Sequence, residues 1–230
     1  MDALFRRAAS LELKTASGDL SRIADIETCT ANSYRRYDEI MARVSASLAV
    51  KTVCRPGCSW CCHFKVEVRA HELFLIWRYI RKESPNHEVN RFLGVARSNA
   101  ESTRSLSRTE HFATNLACPF LLEDTCRIYP VRPFACRNFH ATTPYNCRLS
   151  FENPMNLSIP STFIPELHSV GTGHKTGYER ALEKRGFDMR IYDMSTAFLE
   201  LHREESSRKR FLKGKRAFLS AVPVDVDDSA

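Results

Sequence analysis

Apolar positions in this 230-residue chain recur mostly at steps of three and four. From 19 to 50 they fall at Leu20, Ile23, Ile26, Tyr34, Tyr37, Met41, Val44 and Leu48, which predicts one long amphipathic helix with Asp19 as its N-cap. The stretch 70–83, AHELFLIWRYIRKE, is a denser apolar helix that must stop before Pro85. A third helix is expected over about 87–108, through Val89, Phe92, Ala96 and Leu106. Beyond Pro165 helical spacing returns, with Gly171, Gly173 and Gly177 as interruptions. Phe187, Met189 and Ile191 alternate like a strand, and Asp193 reads as the cap of a helix holding Ala197, Phe198 and Leu201.

Between 118 and 165 the periodicity disappears. Seven of the ten prolines lie there, so little regular structure is expected and another restraint must hold the segment. The expected fold is mostly α, with helices surrounding irregular cysteine-rich metal-binding loops. The expected divisions are an N-terminal helical extension (1–50), a cysteine-cluster domain (51–205) and a basic C-terminal segment with an acidic tail (206–230). The basic run 208–216 reads as a solvated helix face, and the tail 224–230 as disordered.

Composition narrows the class. A hydrophobic fraction of 43% and a charged fraction of 27% fit an ordinary soluble domain. No apolar run is long enough for a membrane span, and no apolar stretch follows the arginines near Met1, so a cytoplasmic protein is expected. In a reducing compartment, nine clustered cysteines point to metal ligation rather than disulfides. The net charge of +7 counts every thiol as neutral. Each four-thiolate zinc or four-iron centre carries a charge of about −2, which leaves roughly +5 or +3 and a weak case for nucleic acid. An unidentified protein or redox partner is expected instead.

The candidate ligands form two sets. Cys54, Cys58, Cys61 and Cys62 fall within nine residues, and Cys118, Cys126, Cys136 and Cys147 follow in the proline-rich segment. Arg55, Arg127, Arg137 and Arg148 each follow one of these cysteines directly, and a neighbouring cation favours the thiolate. Cys29 reads as core packing. His63 and His140 read as solvated or core histidines rather than ligands. Arg132 is expected to pair with the centre or with a carboxylate.

The pattern C-x3-C-x2-CC, then Cys118-Pro119-Phe120-Leu121, then Cys126 to Arg137 as C-x-IY-x-x-RP-x-x-CR, resembles the YkgJ-type cysteine-cluster family. That resemblance covers about 54–137 and implies a zinc- or iron-chelating domain. A flagellin lysine methylase resembles the same family, which implies an enzymatic alternative. The loop C-x3-C-x-W-C is also similar to the cluster loop of radical-SAM enzymes, but a helix precedes it here where that fold needs a strand. The glycines at 171 and 173 do not make a phosphate loop, because His174 stands where a glycine is required. Zinc sites usually pair two short cysteine knuckles, whereas three ligands on one tight loop with a distant fourth suit a four-iron cluster. An iron–sulfur centre of the 4Fe-4S kind is therefore favoured over zinc. Two classes stay open: a metal-binding module without a substrate pocket, and an enzyme such as a protein-modifying transferase.

Overall fold

Two helices precede the first cysteine loop. The computed structural model describes residues 2–222 apart from Pro56, Leu157, Ser161 and Glu205, so the acidic tail 224–230 lies outside the described residues. α1 (Ala3–Arg22) starts at Asp2, whose carboxylate accepts the Phe5 N–H at 2.7 Å. α2 (Ile26–Ser47) starts at Asp25, which accepts the Thr28 N–H at 2.9 Å. The single helix expected over 19–50 is thus corrected. Ile23 leaves the helical conformation, at φ −111° and ψ 116°, and Asp25 caps a new start. Asp19 instead sits in α1 and accepts Arg36 Nη1 at 2.7 Å.

α3 (Ala70–Glu83) matches its expected span, and α4 (Asn86–Thr103) ends earlier than expected. Ser107 then caps a separate short helix, α5 (Arg108–Phe112). The proline-rich segment contains more order than its composition suggests. β2 (Leu121–Leu122) and β3 (Thr125–Cys126) form a hairpin, followed by α6 (Phe134–Asn138) and α7 (Pro144–Glu152). Three of its seven prolines stand at helix starts rather than break helices. Pro133 immediately precedes α6, Pro144 opens α7 and Pro165 opens α8 (Pro165–Lys184), positions where no helical N–H is lost.

α8 runs unbroken through its three glycines, which corrects the expected interruptions. A Cβ on Gly173 would stand 2.4 Å from the Phe5 carbonyl oxygen, and one on Gly177 would stand 2.4 Å from that of Ala9. Only glycine lets α8 lie this close to α1. β1 (Glu67–Arg69) pairs antiparallel with β4, which lies at Ile191–Asp193 rather than at 187–191. Asp193 caps α9 (Met194–Arg203) as expected, accepting the Thr196 N–H at 2.9 Å, and α10 (Ser206–Leu212) follows.

One aromatic core joins these elements. Tyr34 and Tyr37 from α2 share it with Phe74, Phe92 and Phe198, and with Phe211 and Phe218 near the C-terminal end. Phe120, beside Cys118, is fully buried between Phe92 (5.5 Å) and Phe198 (4.9 Å). Burying such a ring stabilises by about 1.5–3 kcal/mol, so the cysteine segment is plugged into the helical core. The class is mostly α, as expected.

Candidate metal centre

The first cysteine loop is folded by its own backbone and then sewn to the second set. Gly57 takes φ +85°, a conformation suited to glycine, and the Cys58 N–H reaches back to the Arg55 carbonyl at 3.1 Å. A 3-10 turn, Trp60–His63, carries Cys61 and Cys62. The Cys118 N–H donates to the Cys62 carbonyl at 2.7 Å, and the Leu116 N–H to that of His63 at 3.0 Å. The Val53 N–H donates to Ala141 at 2.9 Å, while Ser59 Oγ donates to Asp124 in the hairpin turn at 2.7 Å. α7, which carries Cys147, presses Phe151 against Trp60 (5.3 Å) and His63 (5.0 Å).

Three of the four distal cysteines sit in short regular elements, while Cys118 lies on irregular chain, as expected. Cys126 is on β3 opposite Leu121, and the hairpin turns through Glu123 and Asp124, both at positive φ. Two such residues make the turn that matches strand twist. Cys136 lies in α6 and Cys147 in α7. α6 is docked by Arg137, singled out in the sequence only as the neighbour of Cys136, and by Glu72, which the sequence did not single out. Arg137 Nη1 donates to both oxygens of Asp38 at 2.7 Å, Nε donates to the Arg132 carbonyl at 2.9 Å, and the guanidinium lies 4.1 Å over the Tyr34 ring. Buried Glu72 accepts the Phe134 N–H at 2.8 Å and the Tyr34 hydroxyl at 3.0 Å. A carboxylate inside the apolar run of 70–83 was the available signal for Glu72.

All nine cysteines carry free thiols. Their electrostatics tie the eight candidates into one neighbourhood. The Cys61 thiol is pushed far up, first by its hydrogen bond with Cys62 and then by burial. Burial is the largest cause at Cys54, Cys118, Cys126, Cys136 and Cys147, and the charge of Cys61 raises every one of them further. Cys147, at about 11, also feels Cys54 and Cys58. Cys61 thus acts on members of both sets, as Cys58 does on Cys54 and Cys147. Among the described residues no three such side chains stand ready-made around a metal position. The donor chemistry nevertheless fits zinc or iron, since soft thiolates suit both.

The cation that favours these thiolates is Arg132, which lowers Cys54, Cys61, Cys126 and Cys136. That corrects the reading of the adjacent arginines. Arg127 pairs with Glu88 at 2.7 Å, Arg137 with Asp38, and Arg148 faces Glu152 at 3.6 Å. Arg132 itself stacks 3.8 Å over Tyr129.

The other candidates separate cleanly. His140 Nε2 accepts the Ile164 N–H at 2.9 Å, which leaves Nδ1 to donate to the Asn138 carbonyl at 3.1 Å, so both nitrogens serve the fold. His63 Nδ1 lies 3.2 Å from the Ser59 carbonyl. Cys29 is fully buried in the core, and burial with Asp19 and Asp25 lifts its thiol to about 11. In the basic run, Arg208 bonds Glu27 at 2.7 Å, Arg210 pairs with Glu204 at 2.9 Å, and Arg216 donates to the Phe218 carbonyl at 2.6 Å.

No curated protein and no solved structure matches the chain. A family model does, over a segment that encloses all eight clustered cysteines. Residues 53–155 match the CxxCxxCC family, described as a "putative zinc- or iron-chelating domain".

Proposed function

We propose that the eight cysteines supply the ligands of one or two neighbouring iron–sulfur centres of the 4Fe-4S kind, used in a redox role with a protein partner in the cytoplasm. The observation that carries this reading is the backbone bond from Cys118 to the Cys62 carbonyl at 2.7 Å, which joins the tight first loop to the second set. A structural zinc ion takes four ligands in a closed tetrahedron. Such sites usually pair two short cysteine knuckles, whereas three thiolates on one tight loop with a distant fourth suit a four-iron cluster. Bound iron and sulfide would supply electron-transfer chemistry there. The chain's own residues deliver thiolates, offset their charge through Arg132 and cover one side with Trp60 and Phe151.

Zinc is the second reading, because the matched family description names both metals. Iron, zinc and acid-labile sulfide measured in protein purified without oxygen separate the two. The iron reading expects brown protein with sulfide, and loss of both in Cys58→Ser. Colourless, sulfide-free protein after anaerobic reconstitution sinks the iron centre and leaves zinc.

A further inference from the structure

A cleft of about 660 Å³ opens between α4 and α9, within the size range of small-molecule sites. Arg97 comes to it from α4, Arg104 from the C-cap just past α4, Arg203 from α9 and Lys65 from the approach to β1. The three arginines have no ion-pair partner among the described residues, although three carboxylates line the same cleft. Two of those carboxylates are committed. Glu200 accepts the N–H groups of Leu219, Ser220 and Ala221 and faces Arg210 at 3.2 Å. Asp193 caps α9 with one oxygen and stands 4.0 Å from His111 with the other. Only Glu101 opposes the arginines without such a bond among the described residues. Lys65 is a built-in cation, its side chain 4% exposed, 3.5 Å from Glu67 and 4.4 Å over the Phe112 ring.

The inner end of the cleft matters most. Lys65, Thr103, His111 and Asp193 also line a cavity of about 30 Å³, whose wall includes Cys118 and Pro119. The cleft therefore adjoins a space that Cys118 helps to wall. Leu199 and Val222 give the cleft an apolar wall.

We propose that this cleft binds a phosphorylated small molecule, with the arginines and Lys65 holding the phosphate and the wall of Leu199 and Val222 holding the organic part. Arginine suits this task because its planar fork donates to two phosphate oxygens at once. The proposal does not depend on which metal the cysteines hold.

The test is calorimetric titration of full-length protein, as purified, with phenyl phosphate and with inorganic phosphate. Saturable one-site binding is expected, with phenyl phosphate the tighter. Arg104→Gln and Arg203→Gln should each weaken it by about tenfold or more, the usual scale for a lost charged hydrogen bond. Lys213→Gln combined with Lys215→Gln removes two exposed charges elsewhere and should leave binding unchanged. Absence of saturable binding, or equal weakening by the lysine pair, overturns the site. Inorganic phosphate binding as tightly as phenyl phosphate overturns the apolar half of the assignment. Metal content measured in the same samples separates loss of the cleft from loss of the cysteine centre.

Discussion

At the scale of single residues, Arg132 and Cys61 set the chemistry of the site. The candidate thiols that burial and their neighbours raise lie above the ordinary 9.0, so metal ligation must expel their protons and weakens as pH falls. Arg132 acts against that rise. Its removal in Arg132→Gln pushes the thiols higher, so the pH at which a chelator strips half the metal should move upward, by about half to one unit. Metal retained against a chelator from pH 6 to 9 reads this, and an unmoved curve removes Arg132 from the centre. Cys61→Ser should cost most of the bound metal, because Cys61 acts on members of both sets. Cys147→Ser, one arm only, should retain more than half. Equal loss in the two variants would show that Cys61 has no special place.

At the scale of elements, the α1–α8 contact makes opposite predictions for two glycines. Gly94 on α4 has nothing within 4 Å of an added Cβ, so Gly94→Ala should stabilise by about 0.5–1 kcal/mol through helix propensity. Gly173→Ala gains the same propensity but drives a methyl into the Phe5 carbonyl oxygen at 2.4 Å. Overpacking costs about 1–3 kcal/mol, and a backbone neighbour yields little, so net destabilisation is expected. Urea midpoints of the two variants decide it. This contact also explains what the pattern concealed. α3 was legible because eight of its residues are buried, most of them large and apolar, and Pro85 marks its end. α1 buries Ala8, Ala9 and Ala16, the first two against glycines of α8, and small residues leave no periodic apolar signal to read. The cysteines were legible by density alone. The docking roles of Arg137 and Glu72 were not, because a charged residue reads as surface until its partner, 62 or 99 residues away, is known.

Across the whole molecule, the segment 118–147 is docked by Phe120, by Arg137 and by its backbone bond to the first cysteine loop, and ligation of its cysteines is expected to complete that docking. Metal removal should therefore expose this segment to protease first, while α1 and α8, which pack on each other, remain protected. Equal protection with and without metal would show that Phe120 and Arg137 hold the segment unaided. Acid should release a different part. Asp188 and Glu200 are both lowered while accepting backbone N–H groups of Ala217 and of 219–221. The stability they contribute is present above the ordinary carboxylate pKa of about 4 and is lost as pH falls through their lowered values. Hydrogen exchange at 217–222 should accordingly accelerate below about pH 4 before the rest of the fold opens.

The bond from Cys118 to the Cys62 carbonyl also fixes an order of events during synthesis. The first four thiols leave the ribosome while the second set has not yet been translated, and Cys147 follows Cys62 by 85 residues. At about 5–20 residues per second, that gap lasts roughly 4–17 s. For that interval four crowded thiols stand without their partners, open to oxidation or to the wrong ion. Delivery of the correct metal must wait until the later cysteines arrive.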